Sequence, residues 1–266
     1  MKASKVEPFG HEVSGLDLRN EPNEAEIGEI RDLVHDNGFV LFRGQQLDAA
    51  RQAAFARRFG PFSGHNASDR EGFANRDGEG FTLRIYTNTN ALGSIAELDF
   101  HSDNAHNPFS LRYLALYGID VTTGGKPLEG GETLLANAAL AVERLPARLR
   151  DRLDGLECRI TAQSMGSFVR PCIERHWATG RPYLVPSSLT EEIVGLGREE
   201  SDALCKEIFA ILYDPAFVYR HKWREGDLLF WDNRLLHHGR GWYDNRQNRT
   251  IRRCAIADEL EPTAIV

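Results

Sequence analysis

The fold of this chain is decided by the stretch Asp227-Leu228-Leu229-Phe230-Trp231-Asp232-Asn233-Arg234-Leu235-Leu236-His237-His238. Residues 228–231 are continuously apolar and predict a buried strand. The polar residues 232–234 that follow are typical of a turn, so the chain is expected to reverse direction there. The returning segment carries His238 back across the sheet, which predicts an antiparallel β architecture around that histidine.

Other segments predict short strands between Gly and Pro turns, together with a few helices. Strands are predicted at residues 39–42, 113–119, 133–136, 217–219 and 250–256, and helices at residues 24–35, 48–59, 137–153 and 199–213. This pattern fits a mainly β fold with flanking helices, the double-stranded β-helix of jelly-roll or cupin proteins. The polar segment 64–97, which has one strand-like run at 81–86, is expected to form a lid loop. Residues 1–266 are expected to form a single domain.

Composition excludes several classes of protein. The 266 residues are 41% hydrophobic and 27% charged, enough to bury one large core. A net charge of −7 argues against a nucleic-acid surface, which needs clustered Lys and Arg. We find no run near the roughly 18 apolar residues of a membrane span and no apolar signal core. The four scattered cysteines are expected to be free thiols in a reducing cytoplasm.

The chemistry of the chain is indicated by His101-Ser102-Asp103 together with His238. On a strand, the side chains of His101 and Asp103 point to the same face because they are two residues apart. Two imidazoles and one carboxylate form the facial triad of non-haem Fe(II) oxygenases, which leaves metal positions open for a co-substrate and dioxygen. An isolated His-x-Asp is a weak signal, but arginines follow His238 by eleven and fifteen residues, at Arg249 and Arg253. Their planar guanidiniums can clamp carboxylates, which predicts an iron and 2-oxoglutarate oxygenase.

Several motifs together resemble the TauD/TfdA family, the taurine and 2,4-dichlorophenoxyacetate dioxygenases that use iron and 2-oxoglutarate. The resemblance runs over nearly the whole chain and rests on segments 11–18, 59–65, 101–103, 130–133, 231–238 and 249–253. It implies a clavaminate synthase-like jelly roll. It also implies that His101, Asp103 and His238, rather than the adjacent His237, are the iron ligands.

The resemblance implies roles for other residues as well. Thr133 matches a residue that hydrogen-bonds a 2-oxoglutarate carboxylate, and Arg249 matches the one that forms the distal salt bridge of that acid. Arg253 matches an arginine that grips the anionic head of taurine or assists co-substrate binding. His65 matches a histidine that contacts the substrate in the taurine enzyme.

Two positions depart from the pattern of the family and leave the taurine pocket incomplete. Glu97 stands where the family has an asparagine, and Ser68 stands where it has a tyrosine. A carboxylate at Glu97 would repel a dicarboxylate, so it is expected to point elsewhere or to meet a cation on the substrate. The candidate substrate contacts are His65, Glu97, Asn104 and Arg253.

The expected reaction is hydroxylation or desaturation of an unactivated C–H bond, with dioxygen and 2-oxoglutarate consumed and succinate and CO2 released. The expected substrate is a small anionic or amino-acid-like molecule, with no nucleic-acid or membrane partner, and homo-oligomerisation is left open. Two other functions also fit parts of the pattern: a non-catalytic metal-binding jelly roll that senses 2-oxoglutarate, and a Zn hydrolase with the same three ligands.

Other polar and aromatic residues have simpler expected roles. His106 is expected to form a pocket wall or a surface group, and His176 and His221 are expected to be solvated. Trp223 and Trp231 are expected to lie in the core. Asp232 or Asn233 is expected to orient the metal ligands.

Overall fold

The computed structural model describes residues 1–62, 74–76, 82–87, 97–109, 111–162 and 165–258. Its α-helices are α1 (Glu24–Asn37), α2 (Ala49–Arg57), α3 (Ala138–Arg144), α4 (Ala147–Leu153) and α5 (Arg198–Leu212). A 3-10 turn at Pro215–Phe217 follows α5. No helix within the described ranges is both long enough and apolar enough to cross a membrane.

The strands outnumber the helices, as expected for a mainly β fold. In chain order they are β1 (Lys2–Lys5), β2 (His11–Ser14), β3 (Phe39–Phe42), β4 (Ala74–Arg76), β5 (Thr82–Tyr86), β6 (Leu98–His101), β7 (Leu111–Asp120), β8 (Thr122–Thr123), β9 (Lys126–Pro127), β10 (Thr133–Asn137), β11 (Glu157–Ala162), β12 (Gly166–Pro171), β13 (Ile173–Arg175), β14 (Pro182–Leu184), β15 (Thr190–Ile193), β16 (Val218–His221), β17 (Leu228–Asp232), β18 (Leu236–Arg240) and β19 (Thr250–Ala257).

Two sheets form the jelly roll. The large sheet has eight strands in the order β1-β2-β3-β17-β7-β19-β5-β4, and the small sheet has four in the order β16-β10-β18-β6. All neighbours in both sheets pair antiparallel except β2 and β3, which pair parallel. The stretch 227–238 connects the sheets, because β17 belongs to the large one and β18 to the small one. The double-stranded β-helix is confirmed.

Both faces of the large sheet are buried near its centre. Along β17, Leu229 and Trp231 pack into the core between the sheets, whereas Leu228 and Phe230 pack into a second core beneath α1 and α2. Side chains alternate between the faces of a strand, so a central strand with two covered faces must be apolar throughout. This explains the continuous apolar run, and it confirms that Trp231 and Trp223 are core residues.

Most predicted elements are present within a few residues of the expected bounds, but one prediction was wrong. Residues 137–153 form two helices, α3 and α4, separated by Leu145 and Pro146. Proline lacks an amide hydrogen and clashes with the preceding helical turn, so it starts α4 instead of continuing α3. The strands between residues 157 and 193 were not predicted at all.

The predicted lid covers a part of the chain that is only partly described. Residues 64–73, 77–81 and 88–96 lie outside the described residues. Within the segment, β4 and β5 form a hairpin at the edge of the large sheet, next to β19. The lid therefore stays a prediction.

Candidate metal centre

Three predicted metal ligands meet at the edge of the small sheet. His101 on β6 pairs directly with His238 on β18, so their side chains lie on the same face, with ring centroids 4.3 Å apart. Asp103 follows β6 and places its Oδ1 3.3 Å from His101 Nε2 and 3.8 Å from His238 Nε2. One ligand atom from each residue lies within 4.8 Å of the other two. This arrangement fits one metal ion held by two nitrogens and one oxygen.

The two histidines present one nitrogen each to the centre. His101 Nδ1 lies 2.8 Å from the carbonyl oxygen of Asp99, and a carbonyl can only accept a hydrogen bond, so Nδ1 carries a proton and Nε2 is the nitrogen left for a metal. In the metal-free protein burial lowers the pKa of His101, but the hydrogen bond from Nε2 to Asp103 outweighs it and raises the pKa, so a metal would displace this proton. Burial lowers the pKa of His238 to about 3, and this imidazole is therefore neutral at physiological pH. Neutral imidazoles are the form that ligates a metal.

The third ligand is an ionised carboxylate. Burial alone would raise the pKa of Asp103, but the positive charge of Arg253 and the hydrogen bond with His101 outweigh that effect and hold the pKa well below its ordinary value. The Arg253 guanidinium forms a short ion pair with Asp103 Oδ2, which leaves Oδ1 facing the two imidazoles. Two neutral nitrogens and one anionic oxygen form a donor set that fits Fe(II).

Arg249 is buried behind this centre. Its Nε donates a hydrogen bond to the carbonyl oxygen of Gly131 at 2.9 Å, and only 4% of the residue is exposed. Burial and the nearby charge of Arg240 lower the pKa of Arg249 to about 10. Among the described residues, no carboxylate pairs with this guanidinium. Arg249 is still charged at neutral pH, so it makes a buried cationic site.

Thr133 lies between Arg249 and the metal ligands. On β10, Leu135 is directly opposite His238, and Thr133 is two residues nearer to Gly131. At about 3.3 Å per residue, Thr133 is roughly 7 Å along the strand from the His238 position. The Thr133 hydroxyl accepts a hydrogen bond from Trp223 Nε1 at 3.2 Å and can still donate its own proton to a carboxylate.

A cavity of about 740 Å³ opens beside His101 and Asp103. Its walls include the predicted substrate residues Glu97, Asn104 and Arg253, and also His106. His106 is therefore a pocket wall, one of its two expected roles. Within the described ranges, the buried amide nitrogen of Asn104 and Nδ1 of His106 have no hydrogen-bond partner. The predicted substrate residue His65 lies outside the described residues.

Two histidines expected to be solvated are buried, which corrects that prediction. His221 Nε2 lies 3.2 Å from an oxygen of Asp227, and His176 Nε2 lies 2.9 Å from Asp232 Oδ2. Each histidine occurs among charged residues in the sequence, but tertiary packing pairs it with a buried acid. His237, the neighbour of His238, points away from the metal centre, and its Nδ1 lies 2.9 Å from the Tyr213 hydroxyl.

His35, His176 and Asp232 form a second compact group, with one ligand atom from each within 4.8 Å of the others. Hydrogen bonds already engage these atoms, because His35 Nε2 lies 2.6 Å from the Tyr113 hydroxyl and His176 Nε2 bonds to Asp232. This group is therefore a buried hydrogen-bonded network within the fold.

A facial set of two histidines and one carboxylate in a jelly roll, with a buried arginine behind it, defines the class of non-haem iron oxygenases that use a 2-oxo acid. The chain belongs to the taurine catabolism dioxygenase TauD, TfdA family, whose profile matches residues 2–255. It is a 2-oxoglutarate-dependent dioxygenase of the non-haem iron type.

Relatives of known activity resemble the chain over most of its length. The alpha-ketoglutarate-dependent 2,4-dichlorophenoxyacetate dioxygenase of Cupriavidus pinatubonensis is 30% identical, over 94% of this chain and 95% of that protein. The (S)-phenoxypropionate/alpha-ketoglutarate-dioxygenase of Sphingobium herbicidovorans is 26% identical, over 97% of this chain and 95% of that protein.

Solved structures share the fold. The structure of AAD-2 in complex with Mn(II) and N-oxalylglycine superposes with a TM-score of 0.82 at 25% identity, covering 99% of both chains. A taurine dioxygenase from Burkholderia xenovorans superposes with a TM-score of 0.83 at 28% identity, covering 97% of this chain and 89% of that one.

Proposed function

We propose that His101, Asp103 and His238 bind Fe(II), and that Thr133, Arg249 and Arg253 bind 2-oxoglutarate. In this proposal the enzyme hydroxylates or desaturates an unactivated C–H bond of a small anionic or amino-acid-like substrate. Dioxygen and 2-oxoglutarate are consumed, and succinate and CO2 are released.

The observation that carries the residue assignment is the buried guanidinium of Arg249. A buried charge is costly unless it is paired, and no described acid pairs with Arg249. The distal carboxylate of 2-oxoglutarate supplies the missing anion, and the nearby Arg240 adds positive charge to the same region. Thr133 lies on the way to the metal and is placed to donate a hydrogen bond to a carboxylate.

The bound iron supplies the activation of dioxygen that the protein side chains cannot perform. The chain contributes position and environment. Arg249 and Thr133 hold the co-substrate in one orientation, and Arg253 keeps Asp103 ionised while remaining close enough to the metal to meet a second anionic group. The cavity walls place the target C–H bond and keep water away from it.

The walls of the cavity favour a substrate that also carries a positive group. Glu97 and Asp99 line this cavity together with His101 and Asp103, and within the described ranges neither Glu97 nor Asp99 forms an ion pair. A substrate ammonium would be stabilised there, which supports an amino-acid-like substrate.

Several further features belong to this proposal. We expect the lid at 64–97, with His65, to complete the substrate pocket, and residues 1–266 to act as a single domain. We place the enzyme in the cytoplasm, in keeping with four buried cysteines, all in the described part of the chain, that form no disulfide.

The assignment of Arg249 is tested by Arg249→Ala with Arg252→Ala as the matched control. Both arginines are buried, but alternation along β19 directs Arg252 to the opposite face, where its guanidinium contacts Gln52 and the carbonyl oxygen of Leu47. The loss of a charge-assisted pair is expected to raise the KM for 2-oxoglutarate about 100-fold in Arg249→Ala. Arg252→Ala is expected to leave that KM within threefold and to lower the Tm.

The measurement is anaerobic titration of the Fe(II)-loaded protein with 2-oxoglutarate, monitored by its visible charge-transfer absorption and followed by steady-state succinate formation. Equal effects of the two substitutions would reject the role of Arg249. Absence of the absorption in folded, iron-loaded wild-type protein would reject the 2-oxoglutarate site as a whole.

A further inference from the structure

Asn233 joins two segments that carry the metal ligands. Its side-chain oxygen accepts a hydrogen bond from the backbone N–H of Asp103 at 3.0 Å, and its amide nitrogen donates to the carbonyl oxygen of Asp103, also at 3.0 Å. The same nitrogen donates to the carbonyl oxygen of Leu111 at 3.1 Å. Asn233 is fully buried. Its side-chain amide thus bonds both the backbone N–H and the backbone carbonyl of Asp103, the predicted carboxylate ligand.

The turn that carries Asn233 is itself held rigidly. Asp232 Oδ1 accepts hydrogen bonds from the backbone N–H groups of Arg234 and Leu235, at 2.8 and 2.9 Å. Asp232 Oδ2 bonds to His176, which lies in the described segment between β13 and β14. The backbone N–H of Asn233 donates to the carbonyl oxygen of Arg112 at 2.8 Å. The Asn233 amide therefore extends from a fixed base.

The backbone beside Asp103 needs such support. Asn104 has a φ of 59°, and it is the one non-glycine residue of the described ranges with a positive φ. Asparagine adopts this conformation more readily than most residues, but the conformation still has a cost that surrounding contacts must offset. The ion pair with Arg253 attracts Oδ2 of Asp103 toward the guanidinium. Oδ1 then faces the histidines only if the backbone of Asp103 is held in place.

We propose that Asn233 is a positioning residue of the metal centre, which fixes Asp103 relative to His238 before the metal binds. Asn233 lies only five residues before His238. The turn therefore positions His238 through the covalent chain and Asp103 through the Asn233 side chain. The inference rests on the proposed function, in which these residues bind Fe(II). Residues that orient ligands typically change metal affinity 10- to 100-fold when they are replaced.

The test compares Asn233→Ala with Asn137→Ala. Asn137 is also a buried asparagine whose side chain, in the described part of the chain, bonds only to backbone: its oxygen accepts from the N–H groups of Ala139 and Leu140 as the N-cap of α3. Both variants lose buried hydrogen bonds and are expected to be less stable. Only Asn233→Ala is expected to weaken Fe(II) binding, by roughly 10- to 100-fold.

The measurement is anaerobic calorimetric titration with Fe(II) alone, with Tm recorded in parallel for each variant. Asn233→Asp, which retains the acceptor for the Asp103 N–H but loses the donor, is expected to bind Fe(II) with intermediate affinity. It also keeps the test decisive if the alanine variant does not fold. Wild-type affinity in Asn233→Asp, or equal losses in the Asn233 and Asn137 variants, would overturn the inference. Failure of the wild-type protein itself to bind Fe(II) would instead overturn the proposed function.

Discussion

At the scale of single residues, Asn104 combines two costs at the metal centre. Its backbone lies in the left-handed region, and its buried amide nitrogen has no partner among the described residues. Native structures rarely keep a buried donor unpaired, and those that do so near an active site commonly reserve it for a ligand. We therefore expect the Asn104 amide to donate a hydrogen bond to the substrate.

Two substitutions separate the backbone of Asn104 from its amide. Asn104→Gly and Asn104→Ala both remove the donor, but only glycine accepts a positive φ without strain. We expect the alanine variant to be less stable than the glycine variant by about 1 kcal/mol, as measured by urea unfolding. Any loss of substrate-dependent succinate formation common to both variants reports the missing amide. Equal stability of the two variants would show that the backbone at this position is unstrained.

The residue scale also marks the limit of prediction from sequence. The triad could be predicted because His101 and Asp103 are two residues apart and the arginines follow His238 at fixed offsets. The burial of His176 could not be predicted, because its partner Asp232 is 56 residues away and meets it only in the folded chain. Asp227 is only six residues from His221, but the charged residues beside this histidine indicated a solvated surface instead. Of the two residues expected to orient ligands, Asn233 bonds directly to the ligand Asp103, while Asp232 holds the turn.

At the scale of elements, the loop before β10 shapes the space around Arg249. Gly131 has a φ of +62°, and a Cβ on this residue would lie 3.1 Å from Cδ and 3.2 Å from Nε of Arg249. Gly124 is a matched glycine with a φ of +57° and nothing within 4 Å of such a Cβ. The two positions share backbone strain on substitution but differ in their neighbours.

We therefore expect Gly131→Ala to weaken 2-oxoglutarate binding by displacing Arg249, and Gly124→Ala to leave it unchanged. Both variants should lose about 1 kcal/mol of stability from the left-handed backbone. The measurement is the KM for 2-oxoglutarate together with the free energy of unfolding in urea. An equal rise of this KM in both variants would show that Gly131 has no specific effect on the binding of 2-oxoglutarate.

Element boundaries followed from local chemistry wherever the chain carried a clear signal. Gly38, with a φ of 91°, ends α1 two residues beyond the predicted bound, and the alternation along β19 places Arg253 on the opposite face from Arg252. Pro146 is an equally clear signal for a helix boundary, but the apolar spacing of residues 137–153 favoured one continuous helix. Among the strands between residues 157 and 193, β11 does alternate polar and buried apolar residues, a signal that was missed. β12 and β13 show no such alternation, so their pairing with β11 and β14 decides their conformation.

At the scale of the whole molecule, the site exists only where the two sheets face each other. The small sheet supplies His101, Thr133 and His238, and the large sheet supplies Arg253, which pairs with Asp103 and lines the same cavity as His101. Local patterns identified these residues, but only the closure of the jelly roll brings them together. Metal and co-substrate should therefore stabilise the complete fold, since both bind groups drawn from different parts of it.

Acid should weaken the metal-free protein as a whole. Six of the eight described histidines have a pKa lowered chiefly by burial: His11, His35, His106, His221, His237 and His238. In His101, by contrast, the interactions with Asp103 and Asp99 outweigh burial and raise the pKa.

A histidine with a lowered pKa takes up its proton more readily in the unfolded chain, so stability falls as the pH drops below the ordinary value of 6.5. For the fully buried His221 the slope is up to about 1.4 kcal/mol per pH unit. The buried acids Asp103 and Asp232, whose pKa values are lowered, lose their contribution only below 3.8 and leave this window unaffected. Urea unfolding with EDTA at pH 7.5, 6.5 and 5.5 should show most of the loss between the last two values; constant or rising stability there would mean that these histidines are protonated in the folded protein.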